Sequence, residues 1–578
     1  MTSAAASATT AHDGPLTHKQ ILTILSGLLM GMFLAALDQM IVATAIRTIG
    51  DDLNGLSAQA WVTTAFLITS TIATPLYGKL SDIYGRKPLF LIAIGIFILG
   101  SALCGLASSM YVLAAFRAFQ GLGAGGLFSL ALAIIGDIVA PRERARYQGY
   151  FMAVFATSSV LGPVVGGFFA GQDQIFGVAG WRWIFWINVP IGLAAMFVVN
   201  RVLHVSQVHR DHRIDWGGAT ALIVGLVPLL IIAEQGRLWG WASGAAFACY
   251  LLGLLGLVAF VFAEARMGDD ALISLRLFRN GVFSVGCSQS FIIGVGMFGG
   301  MASIPLYLQI VKGASPTEAG LLILPMVFGI MSASLVAGQI TSRTGRYKMF
   351  PVIGSVLLVV GLLLMHTIGA DTPLWRTDLY MLIFGAGLGL NMQTLVLAMQ
   401  NAVPVRDMGV ATSSVTFFRQ VGGTLGTAVF LSILFAAVPG KIKAAYQAAA
   451  EDPAYQAAAR AHAEQLKPLR DGSASINDTS FLKHMDSVLA HPFKVGFSQA
   501  MSIVFLVGAC VLVLAVILSA MLKEIPLRTM SGLEAARAEE AAVVEARPDP
   551  AGATHESVDE VMHEAVHEAA PGAKRPGR

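Results

Sequence analysis

The chain has 578 residues, of which 55% are hydrophobic and only 13% charged, with a net charge of +3 and a mean hydropathy of +0.69. Soluble domains carry about 25% charged residues, so a string of soluble domains is excluded. A positive charge this small and this dispersed leaves no footprint for nucleic acid. Residues 1–20 are polar and lack a basic region before the first apolar run, so that run reads as a retained span rather than a signal peptide. Fourteen apolar runs follow, each long enough to cross a bilayer as a helix. They lie at 21–46, 58–80, 88–107, 110–136, 147–170, 181–202, 215–233, 241–263, 281–311, 316–341, 349–369, 378–402, 408–436 and 497–521. The runs are continuous rather than alternating, which argues against barrel strands. The expected fold class is an all-α polytopic membrane protein. The 61 glycines suit it, because small residues let membrane helices approach closely. Cys104, Cys249, Cys287 and Cys510 all sit in apolar runs without metal-type spacing, and read as packing residues.

The loops alternate in charge. One set holds Lys79/Arg86/Lys87, Arg142/Arg144/Arg146, Arg201/Arg210/Arg213, Arg266/Arg276/Arg279, Arg343/Arg346/Lys348 and Arg406; the other short loops hold single cations. The positive-inside rule places the first set, and with it both termini, in the cytoplasm. Residues 437–496 form a long polar, Ala-rich segment expected to be external and partly helical. Residues 523–578 are an Ala/Glu-rich tail, expected to be disordered.

Two stretches repeat. GKLSDIYGRK at 78–87 returns as GQITSRTGRYK at 338–348, aligning Gly78 with Gly338, Gly85 with Gly345 and Arg86 with Arg346. A repeated half is expected of transporters whose halves rock about a midplane site. The position of Asp82 becomes Ser342 in the second copy.

Five further stretches stand out in order: LDQMIVATAIRTI from Leu37, RAFQGLGAGG from Arg117, VLGPVVGG ending at Gly167, IPLYLQ at 304–309 and FFRQVGGTLGTAV at 417–429. With GKLSDIYGRK they resemble the signatures of the major facilitator superfamily, and within it the fourteen-helix drug:proton antiporters. The resemblance covers about residues 20–525. It implies two six-helix halves, 21–202 and 281–522, joined by a 203–280 linker holding the two extra spans. It also implies a bacterial cytoplasmic membrane, the proton gradient as energy source with no cofactor, and export by alternating access. Hydrophobic or amphipathic small molecules, protons and the lipid bilayer are the expected partners, with an accessory protein at the 437–496 segment an open option. The alternatives are a dedicated exporter of one lipid or secreted metabolite, and a receptor or scaffold that keeps the fold without transport.

The resemblance gives Gly78, Asp82, Gly85 and Arg86 the role of a cytoplasmic gate. An acid at a helix N-terminus gains roughly 0.3–1 kcal/mol, and the glycines permit the tight turn. Asp38 lies mid-run, where a carboxylate costs about 2.5–3.5 kcal/mol and is functional by default. It suits a proton carrier or a cation site; the bland alternative is a helix-end residue reaching outer water. Arg117 is implied in proton coupling, or else is a structural hydrogen-bond hub beside Gln120. Gly162, Pro163, Gly166 and Gly167 bend and thin the fifth span, which the resemblance links to antiport; a packing groove alone is the other reading. Gln289, Asn391, Gln393, Tyr307 and Gln309 are polar groups in apolar runs, and Met297, Phe298 and Met301 offer adaptable apolar contact. All are candidates for the cavity wall, as is Gln120. Arg419 is a second deep arginine, placed by the sequence near enough to a loop to snorkel. The chain departs from the family pattern at Met40, where threonine is usual, and at Arg47, where proline is usual.

Three motifs fail their context. GLGAGG at 121–126 follows no strand, so it is not a dinucleotide loop. HEAVH at 563–567 lies in the polar tail, so no metal site is expected. NDT at 477–479 matters only in a glycosylating host. No P-loop is present.

Overall fold

The computed structural model describes residues 17–53, 59–144, 147–203, 215–404, 407–466, 482 and 485–528. The NDT and HEAVH motifs lie outside the described residues. The helices are α1 His18–Asp52, α2 Gln59–Tyr84, α3 Arg86–Cys104, α4 Met110–Ile138, α5 Pro141–Arg144, α6 Gln148–Ala170, α7 Arg182–Trp186 and α8 Asn188–Val202. They continue as α9 Trp216–Trp239, α10 Gly244–Met267, α11 Gly281–Leu306, α12 Pro316–Leu322, α13 Leu324–Thr344, α14 Met349–His366, α15 Leu374–Ala402, α16 Met408–Ala449, α17 Pro453–Ala461 and α18 Ser487–Met521. Polar caps mark the starts. Thr17 and Gln20 form a reciprocal box on α1, and Ser109, Asp215, Ser243, Asn280 and Asp486 cap α4, α9, α10, α11 and α18.

Thirteen helical stretches among the described residues are long and apolar enough to cross a membrane. The fourteenth expected span, α2, is more polar but as long. Several of its hydroxyls bond back along the helix, among them Thr69 to Ala65 O at 3.0 Å and Thr74 to Ser70 O at 2.8 Å. Such bonds satisfy hydroxyls inside an apolar bundle. The sixth expected span is broken at Ile187 into α7 and α8. The ninth ends in a π-helical turn at Tyr307–Val311. The only strands among the described residues are two residues each, Gln174–Ile175 and Val178–Ala179, paired antiparallel around Gly177.

The two halves each have their own core. Phe66, Phe90, Phe97 and Phe151 anchor the first; Phe384, Phe430, Phe497 and Phe505 anchor the second. The extra pair, α9 and α10, does not lie between the halves. Leu222, Leu226 and Leu230 of α9 pack with Ile68 and Ile72 of α2 and Val415 of α16, so α9 covers the seam from outside. A Cβ on Gly256 would lie 2.5 Å from the Gly225 Cα and 2.6 Å from the Val224 carbonyl carbon. Small residues alone permit that approach. Gly256→Leu is expected to lower stability by about 1–3 kcal/mol, the usual cost of overpacking, seen as a lower melting temperature of the purified protein.

The segment 437–496 carries helix in its described parts, in keeping with the partly helical expectation, and residues 529–578 of the tail lie outside the described residues. Much of 437–496 is a helical stalk: α16 runs on to Ala449, and α18 begins at Ser487. Tyr446 Oη donates to Leu489 O at 3.1 Å, and Gly496 packs on the Ile442 backbone. Ala-, Lys- and Gln-rich sequence continues a helix readily outside the apolar region. The tail is also held at its start. Glu524 accepts from Tyr347 N at 3.1 Å, Asn401 Nδ2 donates to Pro526 O at 3.0 Å, and Arg528 donates to Val403 O at 2.8 Å. Residues 523–528 thus strap α14 to α15 on the cation-rich face.

Candidate functional site

Asp38 and Arg117 are brought together. They lie 79 residues apart, and Arg117 Nη1 donates to Asp38 Oδ2 at 2.5 Å. Asp38 Oδ1 accepts from Asn188 Nδ2 at 2.8 Å and from Gln120 Nε2 at 3.1 Å. Asn188 also donates to Ser101 Oγ at 3.0 Å, and Gln120 Oε1 accepts from Arg117 at 2.7 Å. The guanidinium lies 4.0 Å from the centre of the Phe66 ring. Asp38 is 0% exposed and Arg117 2%. The helix-end reading of Asp38 is therefore excluded: the carboxylate meets donors from α4 and α8 inside the first half, not outer water. Arg117 is at once the counter-ion and a hydrogen-bond hub. Its Nε finds no partner among the described residues. A buried charge with no counter-ion costs far more than a paired one, so any event that neutralises Asp38 destabilises this whole cluster. Asn188 and Ser101 escaped the sequence reading, since a lone Asn after a tryptophan-rich stretch carries no signal of its partner.

The GKLSDIYGRK stretch forms the second assembly. Arg86 pairs with Asp82 at 2.6 Å and, through Nε, with Asp137 at 2.7 Å, and it also donates to Ser81 Oγ. The first turn of α16 sits on this group. A Cβ on Gly409 would stand 2.6 Å from both Asp82 Oδ2 and Arg86 Nη1. A Cβ on Gly78 would stand 2.6 Å from the Ser413 Cβ. The carboxylate thus faces the N-terminus of a 42-residue helix, where it is electrostatically favoured. Asp82 Oδ2 has no hydrogen-bond partner of its own among the described residues. Gly85, at φ 90°, makes the turn that a side chain would strain. The second copy does not reproduce this. Arg346 is exposed where Arg86 is 8% exposed.

A third junction was not foreseen. Arg144 is 4% exposed and donates to Gly136 O at 2.7 Å and Val139 O at 2.9 Å, the final carbonyls of α4, and also to Gln400 Oε1 of α15. Gln400 Nε2 donates onward to Thr412 Oγ1 of α16 at 2.7 Å. Among the described residues the halves meet on the cation-rich face at Asp82/Arg86 and at Arg144.

The remaining candidates divide. Gly162 and Gly166 press α6 onto the Met40 and Ile41 backbone of α1, whereas a Cβ on Gly167 would meet nothing within 4 Å. Pro163 lies inside α6 and faces Gly320 of α12. Gln289 donates to Asn391 Oδ1 at 3.3 Å, knitting α11 to α15, and both are fully buried. Gln393 shares a small cavity wall with Arg144 and Gln400. Met297 and Tyr307 are core residues of the second half, and Phe298 and Met301 pack against that core. Tyr307 Oη donates to Gly369 O at 3.0 Å, and Gln309 is exposed. Arg419 lies about three turns inside α16 from Met408 and is partly exposed. Between α6 and α13 a cavity of about 490 Å³ is lined by Thr157, Val160, Leu161, Leu324, Val327, Phe328 and Met331. Leu161 and Phe328 are exposed on its rim. Among the described residues no group of acidic, His and Cys side chains has metal-site geometry.

This arrangement of paired halves, with a polar core in one and contacts closing one face, agrees with comparison to known proteins. Residues 28–427 match the family model described as Major Facilitator Superfamily. An uncharacterized MFS-type transporter of Mycobacterium tuberculosis (strain ATCC 25618 / H37Rv) is 36% identical over 87% of this chain and 70% of its own. Multidrug resistance protein 3 of Bacillus subtilis (strain 168) is 37% identical over 72% of this chain and 80% of its own. The solved structure of the proton:xylose symporter XylE superposes with a TM-score of 0.58 at 15% identity, covering 90% of this chain and 100% of that one. The chain belongs to the Major Facilitator Superfamily: it is a multi-pass membrane transporter, not an enzyme.

Proposed function

We propose that this chain is a proton-coupled antiporter that exports hydrophobic or amphipathic compounds across a bacterial cytoplasmic membrane by alternating access. The observation that carries the reading is the sealed Asp38–Arg117 pair. A carboxylate held by a guanidinium and two amides inside an apolar helix bundle changes its surroundings most when it gains a proton. Protonation would cancel the charge that holds Arg117, Gln120 and Asn188, elements of α4 and α8, against α1. That is a local event able to bias two packings of the first half.

The cations crowd one face, which the positive-inside rule assigns to the cytoplasm together with both termini. On that assignment the Asp82/Arg86 and Arg144 contacts describe a carrier closed on the cytoplasmic side. The apolar cavity between α6 and α13, rimmed by exposed Leu161 and Phe328, suits cargo that enters from the bilayer. The multidrug name of one relative supports the same substrate class. The test uses purified full-length protein in proteoliposomes with an imposed pH gradient, Hoechst 33342 as cargo and a trapped pH dye. Expected are dye movement against its own gradient and proton movement that requires dye. Dye movement indifferent to the pH gradient, with no accompanying proton flux, rejects the coupling.

A further inference from the structure

The chain turns sharply after α10, and one acid holds the turn. Glu264, near the end of α10, is 1% exposed. Its Oε1 accepts from Leu272 N at 3.2 Å and its Oε2 from Ile273 N at 2.9 Å. A Cβ on Gly218 would lie 3.0 Å from the same Oε1, so the carboxylate also faces the first turn of α9. A helix N-terminus favours a carboxylate there. Asp215 caps that turn, accepting from Gly218 N at 2.6 Å. A single buried side chain therefore joins the start of α9, the end of α10 and the turn that follows.

The linker then runs to the start of α16. Arg276 pairs with Asp407 at 3.1 Å, and Asp407 is the residue just before α16. Asn280 Nδ2 donates to the carbonyl of Ala402, the last residue of α15, at 2.7 Å. Phe278 meets Phe418 of α16 edge-on, with ring centres 6.3 Å apart. All three anchors lie on the second half. Two residues beyond Asp407 stands Gly409, whose turn sits on Asp82 and Arg86.

Toward the first half the linker offers apolar surface and charge. Leu272, Ile273 and Leu277 share a buried cluster with Ile68 and Ile72 of α2 and Val410 of α16. Lys79 of α2, 8% exposed, is close enough to act electrostatically on Glu264 and Asp82 alike. The linker is thus bonded to α16 and, through apolar packing and opposite charge, held to α2. Separating α2 from α16 has to break one side of that bridge.

We infer that α9, α10 and the 268–280 linker are a clamp on the cation-rich face, which keeps the start of α16 seated on Asp82 and Arg86, with Glu264 and Arg276 as its positioning residues. This rests on the alternating-access reading, in which that face opens and closes. Glu264 shapes the turn that carries Leu272 and Ile273 into the seam, and its charge draws Lys79. Arg276 fixes the residue from which the gate helix starts. A glutamine at 264 has one carbonyl oxygen for two amides and no charge for Lys79.

The test is a distance measurement that needs no transport. Full-length protein in lipid nanodiscs carries spin labels at Tyr84 and Met349, across the seam, or at Tyr84 and Tyr150, within the first half; all three are exposed. Glu264→Gln is expected to raise the long-distance population of the first pair about tenfold, the change that follows from losing a charge-assisted hydrogen bond. Arg276→Glu is expected to raise it about threefold, as suits a partly exposed ion pair, and Arg276→Lys to keep the wild-type distribution. The second pair stays unchanged in every variant. The inference is overturned if either Glu264→Gln or Arg276→Glu, once folded, keeps the wild-type distribution across the seam. It is also overturned if Arg276→Lys opens as far as Arg276→Glu, or if the pair within the first half lengthens equally, which marks general loosening. Should Glu264→Gln fail to fold, the two Arg276 variants decide it. A protein that responds as expected but carries no proton flux keeps the clamp and loses the coupling; proton-coupled transport with unchanged distances keeps the coupling and loses the clamp.

Discussion

Asp38→Asn is expected to abolish proton-driven transport and also to destabilise the protein, and Arg117→Gln placed in the same chain is expected to restore stability without restoring transport. The single change removes the charge that Arg117 meets at 2.5 Å and leaves a guanidinium, 2% exposed, in an apolar bundle. Removing one partner of a buried pair costs about 3–5 kcal/mol, whereas replacing both by neutral groups is often harmless. Gln at 117 can still donate toward an amide at 38, and Asn188 and Gln120 remain as neighbours. Melting temperature and gradient-driven dye transport, measured on wild type, both single variants and the double variant, separate the two roles. A double variant that transports in response to the pH gradient places the proton site elsewhere. A single Asp38→Asn variant as stable as wild type shows that Arg117 finds another partner in this bundle.

Gly78→Val is expected to hold the cation-rich face open and reduce transport at least tenfold with little loss of folded protein. Valine would carry a branched Cβ into Ser413, where even an unbranched one stands 2.6 Å from that residue's Cβ and 3.1 Å from the Gly409 carbonyl. The crowding falls on the contact between the halves, not inside either core, so the cheapest relief is separation of α2 from α16. Spin labels at Tyr84 of α2 and Met349 of α14, both exposed, report that separation. The expected result is a longer and broader distance distribution than in the wild type. Gly78→Ala should show the same change to a smaller degree. A distribution identical to the wild type in Gly78→Val would show that α16 accommodates the branch by a local shift and that this contact does not govern closure.

The repeat illustrates how far the sequence reaches. GKLSDIYGRK and GQITSRTGRYK share Gly and Arg, and both serve as turns after a span on the same face, as their spacing predicts. What Arg86 does and Arg346 does not is a matter of which helix arrives at the turn. Asp137 and the start of α16 close over Arg86. The second turn receives only the strap, whose Glu524 accepts from Tyr347 N. Asp137 could have been singled out as an acid near the end of an apolar run. Arg144, Gln400 and Thr412 could not, because a loop arginine and two polar helix residues have no common pattern until three helices meet.

Length, apolar runs and loop charge determined by themselves that this is a helical membrane protein of about fourteen spans, and GKLSDIYGRK with five further stretches carried its resemblance to a transporter family. The bilayer imposes that legibility: a spanning segment must be helical, long and apolar, so its signature is local and continuous. Tertiary structure alone decided the rest. It paired Asp38 with Arg117 and placed α9 outside the seam rather than between the halves. The physical reason is that spans of nearly uniform hydrophobicity carry little record of which faces meet. That choice is made by close packing of small residues and by a few polar groups finding one another, and both are properties of the assembled bundle.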